Sequence, residues 1–458
     1  MPTLLSMPSL RSRAVALLGG PVLAALLAGN VAAAGPMSSV TRAESATIPL
    51  AAPTGRTSID LSATYDVNAT LGFDAGTLRV DSTMTLTNTS GAGIERLELN
   101  ALPARLGSMD LGSVTVNGAV RSVTISDQTI HVPLGFTLAD GGAATVRVVY
   151  DATFRRTTSG SNWLFAKDNG IVDAYRWIPW VSREVDFDRP NFGDPFVTPV
   201  SPSVIVRLRS DRPVKYATSG RRISSVGLTQ TFRAENVRDF NFTASPHYQV
   251  ISSVEDGITY RVYYRSGFAA STGLTWAKRS LARMADLVGA YPYPTYTIGQ
   301  SAGGYGMESP SLTWIPTGTS SSSMPYLISH ETGHQFFYGV VGNDQAAEPY
   351  ADEAPADFLA RYTLGTKRSS RCAQDELDRS IYAYSSGCYY EVIYIQGGNF
   401  LDKLRLQMGS TDFWAGMRAY YAAHRYDLGG TRELLDTLDD ETPSDLTTTF
   451  EPRFPRYY

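Results

Sequence analysis

Through the first half of the chain, apolar and polar residues alternate with a period of two. "IDLSATYDV" from Ile59, "LRVDSTMTLTNTS" from Leu78, "ATVRVVYDATF" from Ala144 and "PSVIVRLRS" from Pro202 each set apolar side chains on one face and polar ones on the other, the signature of half-buried strands. Turn-forming residues at Asn117–Gly118 and Asp140–Gly142 separate such runs. The expectation is an N-terminal all-β domain, a sandwich or saddle-shaped sheet, over residues 58–250.

From about Gly257 the spacing changes. Leu274, Ala277, Leu281, Met284 and Leu287 recur near a helical period, and "YPYP" at Tyr291–Pro294 is expected to end that helix. "GNFLDKLRLQM" from Gly398 and "FWAGMRAYYAAH" from Phe413 keep the same spacing, and the stripe Phe413, Met417, Tyr420 reads as core. Residues 251–458 are therefore expected to form a second, mixed α and β domain with helices dominant after Met324. No fixed-period repeat is visible, and "GTSSSS" at Gly318–Ser323 is the one low-complexity tract.

Composition narrows the function classes. The 458 residues are 43% apolar and 18% charged with a formal charge of −4, which leaves no electrostatic footprint for nucleic acid or anionic lipid. Arg11 and Arg13, the apolar stretch Ala14–Ala28 and the small residues Ala32–Ala34 read as a cleavable signal peptide over residues 1–34. A linker of small and polar residues follows over 35–57. The apolar stretch falls short of the about 20 residues a membrane span needs, so the mature chain is expected to lack one and to be exported, extracellular or periplasmic. In an oxidising compartment the only two cysteines, Cys372 and Cys388, are expected to form a disulfide, with two separate buried thiols as the alternative. Asn68, Asn88 and Asn241 head N-x-S/T triplets.

The chemistry concentrates in "SHETGHQFFYGVVGNDQAAEPYADEAPADF", Ser329–Phe358. On a helix His330 and His334 lie one turn apart and can share a cation. Glu331 beside them can reach a water on the metal without displacing it, as a general base must. A catalytic zinc takes three protein ligands and keeps one position open, and Glu353, following His334 after eighteen intervening residues, is the candidate third ligand. Gly342, Asn343 and Asp344 are expected to end the first helix. A second would begin near Asp352 as its cap, with Pro355 in the first turn; a start near Pro349 would instead put Pro355 inside the helix. Asp357, one turn beyond Glu353, is placed to orient a ligand histidine. The bland alternative is an amphipathic helix with a solvated polar face.

These residues resemble the zinc motif of the aminopeptidase N family, gluzincin metallopeptidases with a thermolysin-like catalytic domain. Upstream, "GGYGMESPSL" at Gly303–Leu312 is similar to the family's Gly-Ala-Met-Glu-Asn motif, with Met307 and Glu308 in register and Ser309 where asparagine is usual. Downstream, "YIQGGNFLDKL" from Tyr394 is similar to the segment carrying the family's catalytic tyrosine. A weaker likeness includes "AYRWIPW" at Ala174–Trp180 and "VRDFNF" at Val237–Phe242. The resemblance implies an N-terminal β domain and a thermolysin-like catalytic domain, with one zinc ion per chain held by His330, His334 and Glu353. It implies Glu331 and Tyr394 as catalytic residues, with Tyr389 as a substitute donor, and Gly306, Met307 and Glu308 as substrate-binding. Glu308 would hold the free α-ammonium of a peptide, and the tyrosine O–H would steady an oxyanion.

Two departures matter. Where relatives carry a second amine-binding side chain this chain has Ile171, with Asn169 and Asp173 nearby. The residues after Tyr394 suffice for a catalytic domain but not for the large helical C-terminal domain of longer relatives, so an open cleft is expected. The implied function is a zinc aminopeptidase acting on peptides with a free N-terminus. The rivals are a zinc endopeptidase with an open cleft and a zinc-binding module without catalysis.

Overall fold

The alternation that begins at Ile59 is realised in the strand Leu61–Gly72, whose side chains alternate between buried and open along its length. A computed structural model describes residues 58–185, 187, 196–385 and 387–458; the expected signal peptide and linker lie outside the described residues. Leu61–Gly72 pairs antiparallel with Thr77–Asn88 and, on its other side, parallel with Val204–Ser210. These strands sit in the middle of an eight-stranded sheet ordered 221–226, 229–234, 204–210, 61–72, 77–88, 143–153, 110–116, 119–120. One face buries Val67, Leu71, Val80, Val148 and Tyr150. The other carries cross-strand ion pairs such as Arg79 with Asp151 and Arg147 with Asp81, which mark it as the solvated face and add little stability. Two four-stranded sheets complete the β half, one of them ordered 215–218, 242–245, 171–174, 165–168.

The second part begins with Gln249–Glu255 and Ile258–Tyr264, the first two strands of a five-stranded sheet completed by 295–301, 312–316 and 307–309. Strands 258–264, 295–301 and 312–316 run parallel, while Met307–Ser309 lies antiparallel at the edge. The helix Ala270–Leu287 buries Ala277, Leu281, Met284 and Leu287 as its periodicity predicts. It stops before Gly289 and not at the "YPYP" run, because Gly289 adopts a φ of +154° against the Tyr421 ring, where a Cβ would sit 2.7 Å from the ring. Helices Met324–Gly333, Tyr350–Leu364, Gly397–Met408, Ser410–Ala423 and Thr431–Asp440 follow. Phe413, Met417 and Tyr420 are core, as their spacing predicts.

Residues of the β half grip the connection between the first two of those helices. The buried Arg176 guanidinium donates to Thr198 Oγ1 at 3.1 Å and to the Tyr338 hydroxyl at 2.8 Å. Arg183 holds Asp344 with two hydrogen bonds of 2.7 and 2.6 Å, the planar fork that guanidinium offers a carboxylate. No helix among the described residues is long and apolar enough to cross a membrane.

Candidate active site

His330 lies in the last turn of Met324–Gly333, and His334 follows as its C-terminal cap with helical torsions and its N–H still donated to the His330 carbonyl at 3.3 Å. The helix thus ends nine residues before Gly342, where the sequence suggested a stop, yet the one-turn relation of the histidines survives. The end comes early because the second helix crosses here at close range. A Cβ on Gly333 would stand 2.7 Å from the Ala356 Cα. Beyond it the chain turns through Tyr338, at a φ of +126° that a bulky side chain rarely adopts.

The second helix runs Tyr350–Leu364 after Pro349. Asp352 is therefore not its cap, and Pro355 lies in its interior, where it has no N–H for the Ala351 carbonyl. Starting the helix at Tyr350 places two consecutive carboxylates in its first turn, and both reach the same imidazole. Asp352 Oδ1 lies 2.7 Å from His334 Nδ1, and Glu353 Oε2 lies 3.2 Å from His334 Nε2. Glu353 Oε2 is also 3.3 Å from His330 Nε2, and the two Nε2 atoms are 3.2 Å apart.

That near-equilateral triangle is the fit test for a metal. Donors about 2.0–2.1 Å from a tetrahedral zinc stand about 3.3–3.4 Å from each other. The triangle of 3.2, 3.2 and 3.3 Å matches that edge length. The charge balance agrees. Burial pulls the His334 imidazole down, but Asp352, Glu308 and Glu353 together hold it well above the usual histidine range. Burial works against the Glu353 carboxylate, yet His334 and His330 keep it far below its ordinary value. The cluster wants positive charge, and a divalent cation supplies it without protonating a ligand nitrogen.

Glu331 is 3% exposed and lies against the bare backbone of Gly306, where a Cβ would fall 2.0 Å from its Oε1. Gly306 opens onto the edge strand Met307–Ser309, which pairs Met307 with Trp314 and Glu308 with Thr313. The Met307 side chain is buried in the core, so this segment meets the site through its backbone and through Glu308. Glu308 Oε1 accepts from Gln345 Nε2 at 3.2 Å. Ser309 Oγ accepts from Asn241 Nδ2 at 2.7 Å, which also disposes of Asn241 as a surface glycan acceptor. Asn88 is buried as well, leaving Asn68 as the exposed one of the three.

Tyr394 projects from a π-helix, Tyr390–Gln396, a conformation that concentrates at functional sites. Its hydroxyl donates to Glu353 Oε1 at 2.5 Å, and its ring stacks on His330 at 5.4 Å. Burial and then the Glu353 carboxylate push its phenol well above the ordinary range, so it is a donor. Tyr389 packs edge-on against the Tyr394 ring at 5.9 Å. The Cys372–Cys388 disulfide is formed, with a Cα separation of 5.6 Å, and ties the preceding loop to the residues leading into this helix, where the Cys388 carbonyl accepts the Val392 N–H at 2.8 Å.

Other expected positions fall differently. Asp357 accepts from the Tyr326 hydroxyl at 2.5 Å and pairs with Arg361, one turn further along. The histidine that a carboxylate orients is His334, through Asp352, a residue whose local sequence points to a helix cap. Ile171 is buried in its strand, Asn169 sits in a turn at positive φ, and an Asp173 oxygen accepts the Ala302 N–H at 2.8 Å. Gln345, which bridges Glu308 and Asp352, carried no sequence signal at all.

Neither a family model nor a curated protein matches this sequence. Solved structures do. The M1 zinc metallopeptidase from Deinococcus radiodurans superposes with a TM-score of 0.67 at 19% identity, over 86% of this chain and 93% of that one. A mutant of it bound to a Tyr-Ser-Ala substrate gives 0.66 at 19%, over 86% and 93%. A two-domain M1 zinc metallopeptidase mutant bound to L-arginine gives 0.65 at 17%, over 87% and 94%. The chain has the fold of the M1 zinc metallopeptidases, here a β domain followed by a largely helical part.

Proposed function

We propose that the protein is a zinc aminopeptidase, hydrolysing the first peptide bond of peptides with a free N-terminus. The observation that carries this reading is the triangle of His330, His334 and Glu353 donor atoms, 3.2–3.3 Å on a side, with Glu331 and Tyr394 flanking it. The M1 fold and the substrate-bound and amino-acid-bound neighbours support it. On this reading residues 58–250 are the β domain, residues 251–458 are the catalytic domain, and one zinc serves each chain. The N-terminal stretch is an export signal, which agrees with a closed disulfide.

A zinc ion held by the three ligands would polarise the scissile carbonyl and lower the pKa of a water. The remaining steps belong to the chain. Glu331 takes the proton of the attacking water and returns it to the leaving amine. The Tyr394 hydroxyl exchanges its Glu353 acceptor for the oxyanion that develops on the carbonyl oxygen. Glu308 holds the substrate ammonium by a charge-assisted hydrogen bond, and the Met307–Ser309 edge offers backbone groups to an extended peptide. Asp352 receives the His334 Nδ1–H and so leaves Nε2 as the ligating nitrogen.

The test is twofold. Glu331→Gln should abolish hydrolysis of amino-acid anilides while the zinc content stays near one per chain, and N-acetylation of the substrate should remove nearly all wild-type activity. Full activity in the variant would end the mechanism; equal turnover of acetylated substrates would turn the reading toward an endopeptidase.

A further inference from the structure

Gln345 is 3% exposed, and its Nε2 donates to two carboxylates at once, Glu308 Oε1 at 3.2 Å and Asp352 Oδ2 at 2.8 Å. The amide orientation follows from chemistry, since two carboxylate oxygens accept and only the NH2 end can donate twice. Donor atoms of Glu308, His334 and Asp352 lie within 4.8 Å of one another. Asp352 in turn bonds His334 Nδ1 at 2.7 Å. A continuous chain therefore runs from Glu308 through Gln345 and Asp352 to His334.

The loop that carries Gln345 is firmly seated. Its own N–H donates to the Phe196 carbonyl at 3.3 Å. The preceding Asp344 is clamped by Arg183 from the β half, and it also accepts from the Ala346 and Ala347 amides at 3.2 and 3.1 Å. A side chain so placed is available for a defined orienting task.

Resting on the aminopeptidase reading, we infer that Gln345 is a positioning residue for amine recognition, fixing the Glu308 carboxylate relative to the metal ligand His334. The residue type suits the task. A lysine there would satisfy both carboxylates but compete with the substrate ammonium for Glu308, and an apolar residue would withdraw the one donor that the two buried carboxylates share. A neutral double donor aims Glu308 while leaving its charge for the substrate. The spacing between ammonium site and scissile bond, which decides that one residue is removed, is then set by protein groups on both sides.

The experiment compares inhibition of the full zinc-loaded chain by alanine hydroxamate and by N-acetyl-alanine hydroxamate. Both bind through the hydroxamate, so the ratio of their Ki values isolates amine recognition from catalysis. In wild type the ratio should be well above one. In Gln345→Met, which keeps length and loses both donors, it should fall about tenfold at unchanged zinc content, the loss expected for one hydrogen bond to a charged group. A wild-type ratio near one overturns the aminopeptidase reading and this inference with it. A large wild-type ratio that persists in Gln345→Met overturns the role of Gln345 alone. Should the methionine variant not fold, the same ratio is read on Gln345→Asn, which withdraws the donors by one methylene; an unchanged ratio there is equally fatal.

Discussion

Asp173 offers a stability test that does not depend on catalysis. It is wholly buried in the Ile171–Ala174 strand, and one oxygen accepts the Ala302 N–H at 2.8 Å, at the start of the glycine-rich segment leading to Glu308. Burial raises its carboxyl from the ordinary 3.8 to about 8, against the lowering effects of Thr243 and the Ala302 amide; the charge of Asp168 adds slightly. Between those values the folded chain holds a proton that the unfolded chain has released. Its contribution is therefore fully present below about pH 4 and is lost as pH rises toward 8. A shift of about four units at 1.36 kcal/mol each sets a ceiling on the order of 5 kcal/mol. Asp173→Asn keeps an acceptor for Ala302 but cannot titrate. Urea unfolding of both proteins at fixed zinc, from pH 5 to 8.5, should show the variant gaining on wild type by up to about 1.4 kcal/mol per pH unit. Other titrating groups cancel in the difference, and the nearby Tyr248 is pushed by burial far above this range. A stability difference that stays flat across the series would refute the argument.

Two further predictions concern geometry around the metal. Gly306→Ala should lower kcat about 100-fold, within the range general-base catalysis contributes, because its Cβ would fall 2.0 Å from Glu331 Oε1; zinc content, read by atomic absorption, should not change. Replacing Cys372 and Cys388 together by serine should lower stability by about 3 kcal/mol for a loop of this length. In calorimetry this appears as a reduced Tm at saturating zinc, and kcat should fall with it because the bridge anchors the residues leading into the Tyr394 helix.

How much of this was legible in the sequence depends on the range of the interactions involved. Period-two alternation located the long strands because one face of the large sheet is solvated, and each side chain reports its own face. The same logic found the Phe413, Met417 and Tyr420 stripe. The candidate metal ligands were legible because two are one helical turn apart, and the third follows in the next helix after a single connection. Gln345 was invisible. Its task arises only when the 307–309 edge strand, the 342–349 loop and the second helix meet, and no local pattern encodes three segments at once. Asp357 failed in the opposite way. Its spacing from Glu353 was right for supporting a histidine, but Arg361 one turn onward and Tyr326 on the helix Met324–Gly333 engage it.

The reading of Asp352 as a cap shows how a local rule can carry the signal of its own failure. A cap accepts a hydrogen bond from the N–H two or three residues on. Three residues after Asp352 stands Pro355, which has no N–H to give, so the cap is half deprived of donors. The helix starts at Tyr350 instead, and Asp352 turns its carboxylate away from the backbone toward His334 Nδ1. Consecutive residues in one turn diverge by about 100°, which lets Asp352 and Glu353 approach the two nitrogens of one ring from different sides. A proline that seemed only to tolerate the helix start therefore helps to explain why His334 presents Nε2, and not Nδ1, to the metal position.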